Sequence, residues 1–290
     1  MEEDFGALKK GTSLSVLGFF EPNLTLNKAK AFGKTSNGPV LLQNSFGNGT
    51  VYTLNFDLPN YLQERNSNDA NTLKNSELQR VILKTILEKS KITPFCKITN
   101  AKGDYPSGVE TLLYTQGETK YLAVQVNQSN LIDWVTLNDV AEKNKSITEL
   151  KLKIELPEAV YVTEMMSEKS LGKQNIVEVT LSKDTPLIFS LLKYSVTGVS
   201  VKSTLVVENN LMPVEIALES KDNIGDHVVN VELFDKENKP VPQFLVNVPM
   251  IKGKYAGSFD FSHVKDKGDF ELVFKDVMSG VSVKKKIMIK

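Results

Sequence analysis

From Leu150 to Leu156 apolar and charged residues alternate, with Leu150, Leu152, Ile154 and Leu156 set against Lys151, Lys153 and Glu155, and Ile147 and Glu149 leading in. A period of two suits a strand with one buried face, and a helix would scatter the same apolar residues around its axis. Shorter runs of this kind recur from Phe95 onward, with turn signals between them. Val109 to Thr115 and Lys120 to Asn127 flank Gln116-Gly117-Glu118-Thr119, a hairpin pattern. Asn175 to Leu181 and Pro186 to Leu192 follow, with Leu171-Gly172-Lys173 read as the turn before them. This predicts a first β-sandwich over 96–196. About seven more runs, from Thr204 to Ile289, predict a second, immunoglobulin-like sandwich over 197–290 without the Cys-Trp-Cys signature.

Residues 1–95 read differently, as mixed α and β. Leu14 to Phe20 and Pro39 to Gln43 are apolar runs, and Gly47-Asn48-Gly49 is a tight turn before the strand pattern Thr50 to Phe56. Ser76 with Gln79 three residues on forms a capping-box pattern, and Leu78, Val81, Ile82 and Thr85 to Leu87 then fall at helical spacing. The polar stretch Arg65 to Asn75 reads as an exposed loop, and Pro94 ends the segment. The fold class is therefore mainly β with an α/β N-terminal part.

Composition narrows the function. Of 290 residues 41% are apolar, enough to build cores, and 35 basic residues balance 35 acidic ones. No net field draws nucleic acid or an anionic membrane. The run Lys284 to Lys286 reads as a solvated strand edge. The N-terminus, Met1-Glu2-Glu3-Asp4-Phe5, has no apolar stretch behind it and is not a signal peptide; the chain is either cytoplasmic or a piece of a longer exported protein. No run is long enough to span a bilayer. The single cysteine, Cys96, lies in an apolar stretch and reads as a buried thiol, with no disulfide to form.

Chemistry is sparse. His227 and His263 are the only histidines, both read as surface residues near turns, and no metal-ligand spacing surrounds them. No phosphate loop and no Gly-x-Ser-x-Gly elbow occur. Glycoside hydrolysis needs two carboxylates about 5–10 Å apart. Glu149, Glu155, Glu178, Glu215 and Glu232 mostly occupy the polar half of alternating strands, a solvated face. Trp134, the only tryptophan, with Tyr105, Tyr114 and Tyr121, offers flat rings on which a sugar would stack; packing inside the first sandwich is the other reading of the same residues. No cofactor is expected.

One passage resembles a known family. Gly38-Pro39-Val40-Leu41-Leu42-Gln43-Asn44-Ser45-Phe46-Gly47-Asn48-Gly49, followed by a strand ending Leu54-Asn55-Phe56, is similar to a passage near the end of the β-galactosidase trimerisation domain. Asp57 to Tyr61, Arg65, the helix and the following β region continue the likeness. Ala159 to Val162, Leu171-Gly172 and the strand Pro186 to Leu192 resemble the ending of β-sandwich domains in such hydrolases. Asn48 stands where the family has lysine. The resemblance implies a flavodoxin-like, amidotransferase-like segment over 1–95, covering only about the last half of such a domain, with no counterpart of the catalytic barrel or its glutamates.

The function this implies is that of a non-catalytic accessory region of a β-galactosidase-like glycoside hydrolase, giving support, assembly or carbohydrate contact. Its partner would be a catalytic domain or a sister subunit. Two other readings stand beside it: a free-standing carbohydrate-binding or cell-surface β-sandwich protein, and a glycosidase with a carboxylate pair at a domain junction.

Overall fold

A computed structural model describes residues 1–13, 20–56, 61, 64, 69–106, 108–126 and 149–290. Two compact units separate, one including Met1–Pro94 and the other Phe95–Val126 with Thr148–Lys290. The described chain is mainly β. Trp134, Asn127, Arg65 and positions 14–19 and 57–60 lie outside the described residues.

In the first unit β1 (Lys30–Thr35), β2 (Gly38–Phe46) and β3 (Gly49–Leu54) form an antiparallel meander. Both connections are two residues long. Gly47 supplies the positive φ of the second, at +57°, and Gly49 already pairs with Phe46. The turn residues are Gly47-Asn48, within the Gly47-Asn48-Gly49 stretch read as a tight turn, and glycine takes the first central position of this hairpin type. Connections this short leave no room for the crossovers that join the parallel strands of a flavodoxin-like sheet. No parallel pair occurs among the described strands of this unit.

The helix α1 spans Ala70–Lys89. It starts well before Ser76, because the Asp69 carboxylate accepts the Thr72 N–H at 2.7 Å and caps it. Ser76 lies in the second turn, buried, and its hydroxyl donates to the Leu73 carbonyl at 2.8 Å. The polar stretch read as a loop is therefore helical from residue 70. It is buried by polar partners: the Glu64 carboxylate accepts from the side-chain amides of Asn75 and Gln79, both at 2.9 Å. Ile82 anchors the apolar part of the helix in a core with Phe5, Leu8, Phe32, Leu41 and Phe56.

Asn55 fastens this unit. Its amide nitrogen donates to the carbonyls of Glu21 at 3.0 Å and Pro39 at 2.9 Å, and its oxygen accepts the Glu21 N–H at 3.2 Å. An apolar side chain of the same size satisfies none of these part-buried groups.

In the second unit β4 (Lys97–Asn100), β5 (Val109–Gln116), β6 (Thr119–Val126), β7 (Glu149–Glu164), β8 (Lys169–Ser182) and β9 (Leu187–Leu192) make one six-stranded sheet. β7 and β8 are long because they serve two sets of partners. The first half of β7 pairs with β4 and its second half with β9, and register breaks between Glu155 and Val160. Ile98, Leu152 and Ile154 from one half share a core with Val124, Val162 and Phe189 from the other, so the sheet folds over on itself. Leu171-Gly172-Lys173 is not a turn but part of β8. Gly172, with φ of +76°, sits at a second register break opposite Val162, as a glycine in a bulge does.

β10 (Gly198–Ser203), β12 (Leu211–Glu219) and β15 (Lys254–Asp260) form a three-stranded sheet. It shares one core with the five-stranded sheet of β11 (Val206–Val207), β17 (Ser282–Ile289), β16 (Gly268–Asp276), β13 (His227–Phe234) and β14 (Pro240–Met250). Strict alternation drives both central strands: Val229, Val231 and Leu233 on β13 and Phe270, Leu272 and Phe274 on β16 all face inward.

Replacing Asn55 by Leu removes the partners of two carbonyls and an N–H. These groups are part-buried, so each costs toward the lower end of the about 1–3 kcal/mol of a buried orphan. The Asn55→Leu variant is expected to lower the urea midpoint of the first unit, followed by exchange of the residue-55 amide, which donates to the Val40 carbonyl, while amides of the second unit keep wild-type protection.

Candidate functional site

The inward alternation of β13 begins with His227 and that of β16 ends with Asp276, so both polar side chains enter the core of the last sandwich. Neither side chain has any solvent exposure (0% each). His227 Nδ1 lies 2.8 Å from Asp276 Oδ1. An ionised carboxylate only accepts, so Nδ1 carries the hydrogen, and in the neutral ring Nε2 is left as an acceptor. It faces the Tyr194 hydroxyl at 2.8 Å.

Tyr194 lies on the connection between β9 and β10. Its oxygen accepts the Gly225 N–H at 2.9 Å. A Cβ on residue 225 would stand 3.1 Å from that oxygen, so glycine permits the approach. The other Asp276 oxygen accepts the N–H of Ser279 at 3.0 Å and its hydroxyl at 2.5 Å. Burial raises the Tyr194 pKa above the usual phenol value; Gly225 and Thr119 work against that rise, and the Asp276 and Glu118 charges add to it. Tyr121 is raised as well, by burial first and then by Asp276 and Tyr194. Both phenols therefore keep their protons at neutral pH.

The same region joins the two β-sandwiches. The Tyr121 hydroxyl on β6 donates to Met278 Sδ at 3.3 Å, and the buried Ser190 hydroxyl on β9 donates to the Met278 carbonyl. Lys275 pairs with Glu168 of the β7–β8 turn. The arrangement Tyr194–His227–Asp276 has the order of a proton relay, but every polar atom in it faces a partner. A relay that acts on a substrate needs a nucleophile or base open to it.

His227 thus departs from the surface reading of the sequence. Its signal was present: it is in phase with Val229, Val231 and Leu233, as Asp276 is with Phe270, Leu272 and Phe274. His263 is exposed. Cys96 is half-buried, and burial pushes its thiol up to about 11, far from a reactive thiolate. Glu149, Glu178 and Glu215 are exposed, and Glu155 and Glu232 are half-exposed.

The tyrosines proposed as sugar contacts separate. Tyr105 and Tyr114 are 50% and 57% exposed. Tyr121 stands directly opposite Tyr114 across the β5–β6 pair, yet it packs against the core of the last sandwich. A surface cleft of about 680 Å³ opens on the first sandwich, lined in part by Lys151, Lys153, Lys169, Glu164 and Glu178. Its two acids are unequal. Burial raises the Glu164 pKa, but its carboxylate accepts the Ser167 N–H at 2.7 Å and the Met166 N–H at 3.1 Å, and these bonds prevail, leaving it below the usual value. A general acid needs the opposite shift. Among the described residues no group of three or more His, Cys, Asp or Glu side chains is placed to hold a metal, and no helix is long and apolar enough to cross a membrane.

No protein-family model matches the chain, and no curated protein matches it. Solved structures give weak likenesses. The weak structural neighbours are β-glucuronidases. One from Ruminococcus gnavus in complex with uronic isofagomine aligns at 13% identity over 41% of this chain and 20% of its own, with a TM-score of 0.21. Another structure of the R. gnavus enzyme aligns at 10% over 68% of this chain and 46% of its own (TM-score 0.21), and the Dictyoglomus thermophilum enzyme at 12% over 68% and 44% (TM-score 0.20). This chain spans less than half the length of each, and superpositions at these scores carry no inference about fold or chemistry.

Two outcomes follow from the geometry. His227→Leu leaves Asp276 Oδ1 without its His227 donor and the Tyr194 hydroxyl without its His227 acceptor, and Tyr194→Phe removes the partner of His227 Nε2 and of the Gly225 N–H. Each is expected to destabilise the second unit by about 1–3 kcal/mol per orphaned group, more for the charged one, read from urea unfolding. Glu164 adds an acid limb. Its folded pKa is depressed, so its contribution is complete above the unfolded value of 4.5 and is lost as pH falls through the lower folded value. Stability titrated downward from pH 6 should fall less steeply in Glu164→Gln than in the wild type.

Proposed function

We propose that this chain is a non-catalytic accessory region of a carbohydrate-cleaving protein, in which the β-sandwiches act as a rigid spacer beside a catalytic domain. The observation that carries the non-catalytic part is the sealing of Tyr194, His227 and Asp276: among the described residues this constellation has the order of a catalytic relay, and it is buried and internally satisfied. Glu164, the buried acid of the open cleft, is held ionised by backbone N–H groups, which disfavours it as a proton donor. The carbohydrate context rests on the β-galactosidase-like passage from Gly38 to Phe56. In this reading 1–95 is the tail of a trimerisation-type segment, with an antiparallel meander where the resemblance implies a flavodoxin-like sheet, 96–196 is a β-sandwich and 197–290 an immunoglobulin-like sandwich.

A second reading is favoured by the exposure of Tyr105 and Tyr114: a module that contacts glycans through these rings and Trp134. Loss of glycan binding on Tyr114→Ala, with an unchanged unfolding midpoint, would select it.

The purified chain is expected to release no chromophore from nitrophenyl galactosides or glucuronides. Turnover that persists through purification and vanishes in Glu164→Gln or Glu178→Gln would overturn the accessory reading.

A further inference from the structure

We propose that the outer edge of β5 pairs with the same edge of a second copy of this chain, joining two six-stranded sheets into one across a two-fold axis. β5 ends the sheet order, and no described strand pairs with its outer side. The other edges of this unit carry features that discourage pairing. β14 has Pro240, Pro242 and Pro249; β8 has Lys169, Lys173 and Glu178; β10 has Lys202 and β15 has Lys254 and Asp260. β4 and β11 are four and two residues long. β5 has no proline, no lysine and a single charge, Glu110, near its start. Its Leu112, Leu113 and Tyr114 remain 41%, 40% and 57% exposed, apolar on both faces of the strand.

The occupant follows from the strand's own order. Gln116 and Thr119 flank the two-residue turn, so they form the hydrogen-bonded pair that closes the hairpin. Alternate residues Gln116, Tyr114, Leu112 and Glu110 then spend their backbone groups on β6, and Thr115, Leu113 and Thr111 turn theirs outward. A two-fold axis through Leu113, perpendicular to the sheet, sets Leu113 opposite the second copy's Leu113. Leu112 then meets the second copy's Tyr114, Thr111 its Thr115, and Glu110 its Gln116. Each pair lies on one face of the combined sheet, and each is of a favourable kind: aliphatic with aliphatic, aliphatic with aromatic, threonine with threonine, carboxylate with amide. No like charges meet. The interface is isologous, as closed two-fold dimers require. This assembly stands independently of the accessory reading, since it needs no catalytic neighbour.

The test is the mass of the whole chain by light scattering over a concentration series. The wild type should rise from 32.3 kDa toward twice that value. Leu113→Lys and Leu113→Glu, each of which sets like charges opposite each other at the axis, should remain at the monomer mass, and an equimolar mixture of the two should regain the dimer. In the wild type the amides of Thr111, Leu113 and Thr115 should gain protection from exchange as concentration rises, a readout that needs no variant. A wild type that stays monomeric, a dimer untouched by both variants, or amides that exchange equally at all concentrations would overturn the proposal.

Discussion

Asp276 brings a carboxylate into a core built from Phe270, Leu272 and Phe274, and a charge in that position persists only if its lone pairs are met. The β16–β17 turn meets one oxygen through Ser279 and β13 meets the other through His227. That requirement propagates. His227 needs a second partner, which is Tyr194, and Tyr194 is carried on the link between the sandwiches, not on the last sandwich itself. A single buried acid thereby ties a turn, a central strand and the interdomain connection into one hydrogen-bonded chain. Apolar contact alone tolerates sliding between packed surfaces, whereas a chain of directional bonds in a dry core has one satisfied arrangement. The Ser190 and Tyr121 bonds to Met278 add to the same joint from the first sandwich.

The first sandwich meets a different constraint, that of closing a sheet with few strands. β7 and β8 run through both halves and change partners at their register breaks. Pro157, with no N–H to give a ladder, lies in the break, and Gly172 takes the left-handed conformation at the next one. One hairpin thus replaces two and brings Leu152 and Val162 into a common core. The cost of this economy is a sheet with open ends, and the strand left at one of them is β5.

Much of this was legible in the residues, since period-two alternation locates most strands of the second unit, including the hairpin around Gly117-Glu118. What escaped was of two kinds. The helix starts earlier than the pattern suggests because Ser76 and Gln79 mimic a capping box and the polar residues before them resemble a loop; only the Glu64 carboxylate, distant in sequence from what it accepts, makes a polar helix face buriable. Leu171-Gly172-Lys173 looked like a turn because a bulge and a turn ask the same of a glycine. His227 was different in kind. Its phase on β13 was readable, but a histidine at a strand's start next to Asp226 reads as surface until Asp276 is known to share its face. Partners far apart in sequence, His227 with Asp276 and Tyr194, are what a single sequence withholds.

Rigidity and chemistry make opposite demands on polar groups, and that contrast bears on what the chain does. A catalytic group keeps one valence open toward a substrate, at a cost in stability. Here Nε2 of His227 is closed by a phenol whose own proton is held by burial, and both Asp276 oxygens are occupied. Opening that site to a substrate would mean separating the two sandwiches it joins. Polar residues committed in this way strengthen the joint and leave this trio closed to a substrate. The exposed features are those at the surface: the rings of Tyr105 and Tyr114 and the uncharged stretch of β5 from Thr111 to Gln116.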